Sequence, residues 1–149
     1  MDEIEKTYLV KFLPEGLLDC EHKEIYDIYL PKESPHPGLR IRKNGDQYEI
    51  TKKRLVNQND ASHRIEETIK LSEAEFLALE KIDGKKVRKI RYFYEFDGNM
   101  GEIDVFLDNL AGLILADFEF KGVDIKDAHL MPPFCLADVT QSSFTAGGL

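Results

Sequence analysis

Five strand-like segments of this sequence each carry two side chains of the same charge at positions i and i+2. Successive residues of a β-strand point to opposite faces, so each pair shares one face, about 7 Å apart. On an ordinary solvated face the two signs are usually interspersed, and like charges side by side repel. The five pairs are Glu3 and Glu5, Arg40 and Arg42, Lys89 and Arg91, Glu102 and Asp104, and Asp117 and Glu119. A fold for this chain must therefore offset the repulsion within each pair.

The remaining pattern is typical of an antiparallel β domain. Eight segments alternate apolar and polar residues, which predicts eight strands. Two of the intervening segments, Asn44-Gly45-Asp46 and Asp97-Gly98-Asn99, have the residue types of tight hairpin turns. The predicted strands are residues 3–12, 25–30, 39–43, 48–53, 64–71, 87–96, 102–107 and 113–121.

Helical signals are few. Ser72 and Glu75 have the spacing of a capping box and begin a predicted helix of about two to three turns. Its apolar stripe is predicted to be Phe76, Leu77, Leu79 and Ile82. Residues 13–24 are predicted to form a second short helix after Pro14, the segment after Val123 is ambiguous, and Gly147-Gly148 is predicted to be a frayed end.

Composition limits the class of protein. The chain has 149 residues and a net charge of −8, which predicts one domain over 1–149 and disfavours nucleic acid or an anionic membrane as a partner. No apolar run approaches the roughly 20 residues of a membrane span, and the acidic start differs from a signal peptide, so a cytoplasmic location is predicted. Cys20 and Cys135 lack the spacing of a zinc site. The oligomeric state is open, a homodimer included.

A closed barrel would bring the acidic rows opposite the basic rows across an interior. We therefore predict an α+β, mainly β fold: an eight-stranded antiparallel closed barrel with a charged interior and a few helices packed outside. The alternate apolar residues, such as Ile4, Tyr8, Val10 and Phe12, would face outward as the hydrophobic core. A charged lining needs a charged guest to offset its desolvation. A polyphosphate with a divalent cation fits, because carboxylates bind hard cations such as Mg²⁺ or Mn²⁺ while Arg and Lys bind phosphate oxygens.

In their order along the chain, these segments resemble the CYTH domain family, the triphosphate tunnel metalloenzymes. Glu3-Ile4-Glu5 resembles the start of the family's E-x-E-x-K signature. The match continues through Leu39-Arg40-Ile41-Arg42, Thr51-Lys52-Lys53, Arg64-Ile65-Glu66, Arg88-Lys89-Ile90-Arg91-Tyr92, Glu102-Ile103-Asp104-Val105-Phe106, Leu110-Ala111-Gly112-Leu113 and Asp117-Phe118-Glu119. The resemblance implies an eight-stranded tunnel that binds a triphosphate and a divalent cation, Mg²⁺ or Mn²⁺.

The resemblance also implies roles for individual residues. The implied metal ligands are Glu3, Glu5, Glu102, Asp104, Asp117 and Glu119, with Glu66 in the same acidic set. The implied phosphate-binding residues are Arg40, Arg42, Lys53, Arg64, Lys89 and Arg91. Among all of these, Lys53, Arg91 and Glu66 are the implied catalytic residues.

Three positions depart from the family pattern. Thr7 stands where the signature has its lysine, and Lys6, one position earlier, is predicted to point to the opposite face. Thr68 stands where a second glutamate follows Glu66, and Asp117 replaces a glutamate. These changes can alter the preferred metal, the rate or the substrate.

The expected function is a divalent-metal-dependent triphosphatase that hydrolyses inorganic tripolyphosphate. A nucleobase or thiazolium ring would need an aromatic platform, and the chain has no tryptophan and few other candidates, Tyr26, Tyr29 and Phe134. The open alternatives are a thiamine triphosphatase, a class IV type adenylate cyclase, a polyphosphate-binding module without catalysis, and a structural β domain with a solvated charged face.

Overall fold

The computed structural model describes residues 2–142 and shows a closed antiparallel barrel. Nine strands lie within these residues: β1 (Asp2–Val10), β2 (His22–Leu30), β3 (Leu39–Asn44), β4 (Gln47–Asn57), β5 (Asp60–Leu71), β6 (Lys85–Phe96), β7 (Asn99–Phe106), β8 (Ile114–Phe120) and β9 (Cys135–Asp138). Two helices, α1 (Glu73–Glu80) and α2 (Val123–Ala128), and two 3₁₀ turns, Leu17–Asp19 and Asp108–Leu110, complete the order. The predicted frayed end at Gly147-Gly148 lies outside the described residues.

Eight of the strands form the barrel, in the order β5-β4-β3-β2-β6-β7-β8-β1, and β1 closes the ring by pairing with β5. Every pairing is antiparallel, so the predicted eight-stranded closed barrel is confirmed. The ninth strand, β9, was not predicted. It continues the edge of β1 beyond the last residue that pairs with β5, with Tyr8 opposite Asp138 and Val10 opposite Cys135.

The two predicted hairpins are confirmed. Asn44 is paired with Gln47 and Phe96 with Asn99, so each hairpin has a two-residue loop. In the second loop Asp97 and Gly98 both have positive φ, 52° and 78°, as a type I′ turn requires. These turns determine the register of β3 with β4 and of β6 with β7, which decides which residues face inward.

Helix α1 has the predicted capping box, but only part of the predicted stripe packs. The Ser72 hydroxyl accepts a hydrogen bond from the Glu75 N–H at 3.1 Å, and the Glu75 carboxylate accepts one from the Ser72 N–H at 2.8 Å. Phe76 is buried, whereas Leu77 and Ile82 are exposed, because this eight-residue helix contacts the barrel through only one narrow side. No helix among residues 2–142 is long and apolar enough to span a membrane.

Two predictions for the first quarter of the chain are wrong. Residues 13–24 do not form a helix: the only helical piece is the turn Leu17–Asp19, and the Phe93 N–H donates to the Glu21 carbonyl at 2.9 Å. From Glu21 onward, pairing with β6 satisfies the backbone in place of a helix. Phe12 was assigned to the core, but β1 ends at Val10, where its register with β9 shifts, and Phe12 is 53% exposed.

Two parts of the outer face of the barrel are apolar and covered, as predicted, whereas Glu67 and Ile69 on the outer face of β5 are exposed. Tyr8, Ile103 and Phe118 are fully buried beneath Leu17, Phe134 and the segment after α2, and they form the larger cluster. On the opposite side Ile28 and Ile41 pack beneath Phe76 of α1. Burial of these outer residues, at about 25 cal/mol per Å² of apolar surface, stabilises a barrel that keeps charged residues inside.

The inner face of the barrel is charged over part of its length and apolar at one end. Val87, Phe106 and Leu115 lie on the same faces of their strands as the charged residues, yet they pack with Tyr29 and Val139 into an apolar cluster. We call these five residues the apolar plug. The plug fills the barrel interior where β1, β2 and β7 end, so the charged part of the interior is limited to the rest of the barrel.

Candidate active site

A cavity of about 340 Å³ lies inside the barrel. It is lined by all of the residues for which the resemblance implied a role, namely Glu3, Glu5, Arg40, Arg42, Lys53, Arg64, Glu66, Lys89, Arg91, Glu102, Asp104, Asp117 and Glu119. Thr7, Tyr29, Asn44 and Glu49 also line it. Strand alternation and barrel closure thus bring the predicted site residues, which come from seven strands spread over most of the sequence, to one place.

Asp27 is the buried partner of Arg42, and sequence analysis missed it. Its side chain is 0% exposed and accepts hydrogen bonds from Arg42 Nε at 2.6 Å and Arg42 Nη2 at 2.8 Å. Burial opposes its ionisation, but the guanidinium more than compensates and holds the pKa of Asp27 well below its usual value. The signal available in the sequence was a single acid between the apolar residues Ile25 and Tyr29 of a predicted strand.

Asp104 holds the two cations of β6. Lys89 Nζ lies 2.9 Å from its carboxylate, and Arg91 donates to both of its oxygens at 2.8 and 3.0 Å. Arg91 also reaches Glu102 at 3.0 Å. Burial alone would raise the pKa of Asp104, but Lys89 and Arg91 hold it well below the usual value. In this structure Asp104 therefore orients the two cations that face the cavity.

The carboxylates of β1, β7 and β8 are arranged differently, with like charges in register. Glu5 is directly opposite Glu119, and Glu102 is opposite Asp117. Cross-strand neighbours of the same charge destabilise a sheet. Burial and the nearby Asp117 raise the pKa of Glu5 well above its usual value, although Arg64 lies 3.5 Å from it. Among the described residues, neither Asp117 nor Glu119 has an ion-pair partner, so this side of the cavity carries excess negative charge.

Lys53 connects the carboxylate side to the cationic side. Its ammonium lies 2.8 Å from Glu3 and 3.5 Å from Glu66. Burial works against ionisation of Glu3, but hydrogen bonds from Glu66 and Lys53 lower its pKa to about 2. Burial and the adjacent Glu3 raise the pKa of Glu66. Of these two carboxylates, Glu66 is therefore the one that more readily takes up a proton.

Arg40 is a buried cation with incomplete hydrogen bonding. Its side chain is buried, with the whole residue 9% exposed, and its closest carboxylate is Glu66 at 3.9 Å. Within residues 2–142 no acceptor meets the buried Nε of Arg40. A buried donor without an acceptor costs about 1–3 kcal/mol, and an anion bound in the cavity would supply one.

The departures from the family pattern have structural roles of their own. The Thr7 hydroxyl donates to Asp117, and the Thr7 N–H donates to the Thr140 hydroxyl at 3.0 Å. Lys6 points away from the cavity, as predicted, and donates to the His129 carbonyl at 3.2 Å. The Thr68 hydroxyl donates to Glu66 at 3.2 Å. Two threonine hydroxyls therefore hydrogen-bond carboxylates in places where the family pattern has charged side chains.

The carboxylate side has the donors for a hard divalent cation. Within residues 2–142, no three His, Cys, Asp or Glu side chains are already gathered around one point as a metal site. The opposed pairs of β1, β7 and β8 nevertheless offer only oxygen donors and excess negative charge, which fits Mg²⁺ or Mn²⁺. The cationic side offers Arg and Lys groups that suit phosphate oxygens. Together they can hold a polyphosphate and its counter-cation.

The chain is similar to known phosphate-hydrolysing proteins. It is 32% identical to an inorganic triphosphatase from Nitrosomonas europaea over 143 residues, which cover 95% of this chain and 91% of that protein. A solved inorganic triphosphatase structure superposes with a TM-score of 0.70 at 27% identity, covering 98% of this chain and 92% of that one. A Hippeastrum adenylyl cyclase candidate with dominant triphosphatase activity shares the fold, with a TM-score of 0.58 at 13% identity, and coverages of 84% and 82%. No protein-family model matches the chain.

Proposed function

This chain belongs to the same family as the inorganic triphosphatase of Nitrosomonas europaea, and we propose that it hydrolyses inorganic tripolyphosphate inside its barrel with the help of a divalent cation. We further propose that the chain is a member of the CYTH group, the triphosphate tunnel metalloenzymes. It is supported by the closed barrel and by the order of the matching segments along the chain.

One observation carries the proposal: a cationic row and a carboxylate row face each other across a single cavity. Arg42 of β3 and Lys89 and Arg91 of β6 are held by buried acids, Asp27 and Asp104, whereas Asp117 and Glu119 of β8 have no ion-pair partner among the described residues. A divalent cation would supply the countercharge that these carboxylates lack, and the oxygens of a triphosphate would supply an acceptor to the buried Nε of Arg40.

The proposed cation ligands are the carboxylates that face one another across β1, β7 and β8. They are Glu3, Glu5, Glu102, Asp117 and Glu119, with Asp104 positioning Lys89 and Arg91 beside them. A bound Mg²⁺ or Mn²⁺ would neutralise the charge of the phosphate oxygens and lower the pKa of bound water. Arg40, Arg42, Arg64, Lys89 and Arg91 bind the phosphate chain and stabilise the charge that develops on its oxygens.

The proposed catalytic residues lie on both sides of the cavity. Phosphoryl transfer depends mainly on positioning and on charge neutralisation, which Lys53 and Arg91 supply to the terminal and leaving phosphates. Glu66 lies 3.5 Å from the Lys53 ammonium, and its pKa is raised by burial and by Glu3. We assign Glu66 to accept a proton from the attacking water, because its raised pKa makes it the stronger base of the Glu3–Glu66 pair.

The first test is phosphate release from tripolyphosphate by the purified protein in Mg²⁺, in Mn²⁺ and in EDTA. We expect release that requires the cation and stops in EDTA. Glu5→Gln should raise the Mn²⁺ concentration for half-maximal rate at least about 10–100-fold, since even loss of a residue that only orients a ligand has such an effect. Glu67→Gln is the matched control, because Glu67 is exposed and lies on the outward face of β5.

Equal rates in EDTA and in Mg²⁺ would contradict the metal-dependent part of the proposal. Absence of release in every cation, together with a tripolyphosphate-induced rise in melting temperature, would replace the hydrolase with a binding module. Release from ATP or thiamine triphosphate in preference to tripolyphosphate would reassign the substrate.

Removing the Thr7 hydroxyl should move the acidic limb of the pH–rate profile to higher pH. Burial and Asp104 raise the pKa of Asp117, while the hydrogen bond from Thr7 lowers it. In Thr7→Val the pKa of Asp117 rises further, so less carboxylate is available for the cation at low pH. Loss of a hydrogen bond to a charged group predicts about a tenfold lower kcat/KM on that limb and little change at alkaline pH. Thr7→Ser keeps the donor and should retain the wild-type profile; an unshifted limb in Thr7→Val would refute the assignment.

A further inference from the structure

Two threonine side chains connect β4 to Glu66 of β5. Thr51 and Thr68 are directly opposite each other in these strands, and their Oγ1 atoms are 2.9 Å apart. Thr68 lies on the same face of β5 as Glu66, and its Oγ1 is 3.2 Å from Glu66 Oε1. The three side chains therefore form a continuous hydrogen-bonded series. We call Thr51 and Thr68 the threonine pair.

The direction of the two hydrogen bonds follows from the single proton that each hydroxyl carries. A carboxylate oxygen accepts hydrogen bonds, so the Thr68 hydroxyl donates its proton to Glu66. Thr68 can then only accept at its other contact, so the Thr51 hydroxyl donates to Thr68. The series therefore begins at Thr51 and ends at one oxygen of Glu66.

The two threonines differ in burial. Thr51 is 1% exposed and lies between Arg40 of β3 and Thr68 of β5. Thr68 is exposed, so on its own its hydroxyl could turn toward water. A buried hydroxyl without a partner costs free energy, which favours the Thr68 rotamer that accepts from Thr51. Thr51 thereby holds Thr68 in the rotamer that reaches Glu66.

The other contacts of Glu66 leave its orientation less restricted. The Lys53 ammonium lies 3.5 Å from Glu66 Oε2, and Arg40 Nη2 lies 3.9 Å from Oε1. Glu66 also hydrogen-bonds Glu3. These partners have long side chains with many rotamers, whereas a β-branched threonine on the same strand has few. The hydrogen bond from Thr68 is therefore the contact that best restricts the plane of the Glu66 carboxylate.

We propose that Thr51 and Thr68 are positioning residues that orient the Glu66 carboxylate toward the attacking water. The inference rests on the proposed function, in which Glu66 accepts a proton from that water. Thr68 acts through Glu66, and Thr51 acts through Thr68, so neither threonine needs to touch the phosphate chain. An ionised glutamate at position 68 could not donate to Glu66, whereas a threonine can.

The test measures kcat and KM for tripolyphosphate in Mg²⁺. Thr68→Val keeps the shape of the side chain and suits a β-strand, so the fold should be retained. It should lower kcat by about 10–100-fold and leave KM unchanged, because a misoriented catalytic group slows the reaction without weakening binding. Thr68→Ser keeps the donor and should retain most of the wild-type kcat. Ile69→Thr is the matched control, a β-branched exchange at an exposed position on the outer face of β5.

A double-mutant cycle tests the order of the series. Thr51→Val should lower kcat less than Thr68→Val does, because the donor to Glu66 remains. In a Thr68→Val background, Thr51→Val should have no further effect, since its partner hydroxyl is already absent. NMR coupling constants give a readout that needs no turnover. The χ1 angle of Thr68 should have a single value in the wild type and become averaged in Thr51→Val.

Wild-type kcat in Thr68→Val, additive losses in the double variant, or an averaged Thr68 χ1 angle in the wild type would overturn the positioning role and leave the triphosphatase in place. A higher Mg²⁺ requirement of Thr68→Val at unchanged kcat would place Thr68 at the cation site instead, and the positioning role would be wrong. If the wild type releases no phosphate in any cation, the triphosphatase is overturned and the positioning role falls with it, even where Thr68 keeps a single rotamer.

Discussion

Arg40→Gln is expected to lower kcat/KM for tripolyphosphate by about 10²–10³-fold, the usual cost of removing one donor aimed at developing charge. The same variant should keep the wild-type free energy of unfolding or exceed it slightly. Arg40 is buried, its Nε has no acceptor among the described residues, and its closest carboxylate is 3.9 Å away. Its removal therefore deletes little protein–protein bonding and relieves a buried unsatisfied donor.

Steady-state kinetics and urea unfolding on the same preparations check this separation of activity from stability. Arg88→Gln is the matched control, because the Arg88 side chain lies on the outer face of a barrel strand, β6. Its Nε is 3.5 Å from the Glu24 carboxylate and 3.3 Å from that of Asp108. It should retain wild-type kcat/KM. A loss of stability in Arg40→Gln that accounts for its loss of activity would show that Arg40 is structural rather than a phosphate ligand.

Asp27→Asn is expected to lower the free energy of unfolding by about 3–5 kcal/mol, the usual cost of breaking a buried ion pair by removing one partner. The Asp27 carboxylate is 0% exposed and takes both hydrogen bonds of the Arg42 fork. An asparagine can offer only one acceptor oxygen and leaves the guanidinium without its countercharge. Activity should fall as well, because Arg42 would lose the orientation it needs toward the cavity.

Urea denaturation measures this effect, and two further variants test whether the loss comes from the buried ion pair. Asp83→Asn breaks an exposed ion pair, in which the side chains of Lys32 and Asp83 are 51% and 80% exposed. It should lower the free energy of unfolding by less than about 1 kcal/mol. In Asp27→Asn with Arg42→Met, much of the lost stability should return while activity stays low, since no unpaired charge remains buried. Equal costs for Asp27→Asn and Asp83→Asn would contradict the buried role of Asp27.

Much of this site was predictable because a strand has a period of two. The pairs Arg40/Arg42 and Glu3/Glu5 could be assigned to one face from local sequence, and the hairpin at Asp97-Gly98 determined the register of β6 with β7. The structure places all of the predicted site residues in the lining of one cavity. Their assignment as metal ligands, phosphate ligands and catalytic groups remains a prediction for the experiments above.

Other features depend on contacts that no local pattern encodes. Strand β9 has four residues after Pro132-Pro133 and exists because the edge of β1 is unpaired beyond β5. Asp27 resembles an isolated polar residue until β3 brings Arg42 beside it. Residues 13–24 have the composition of a short helix, yet the backbone pairs with β6 from Glu21 onward and forms only local turns before it.

The sequence by itself determined which side chains share a face, because alternation along a strand and the geometry of a two-residue turn act over a few residues. Only the tertiary structure decided which charges are paired. Barrel closure and strand register oppose Asp104 to Arg91 but Glu5 to Glu119, and so pair opposite charges on one side and place like charges together on the other. The same closure gathers the apolar plug at one end of the barrel, since the plug consists of residues from strands far apart in the sequence.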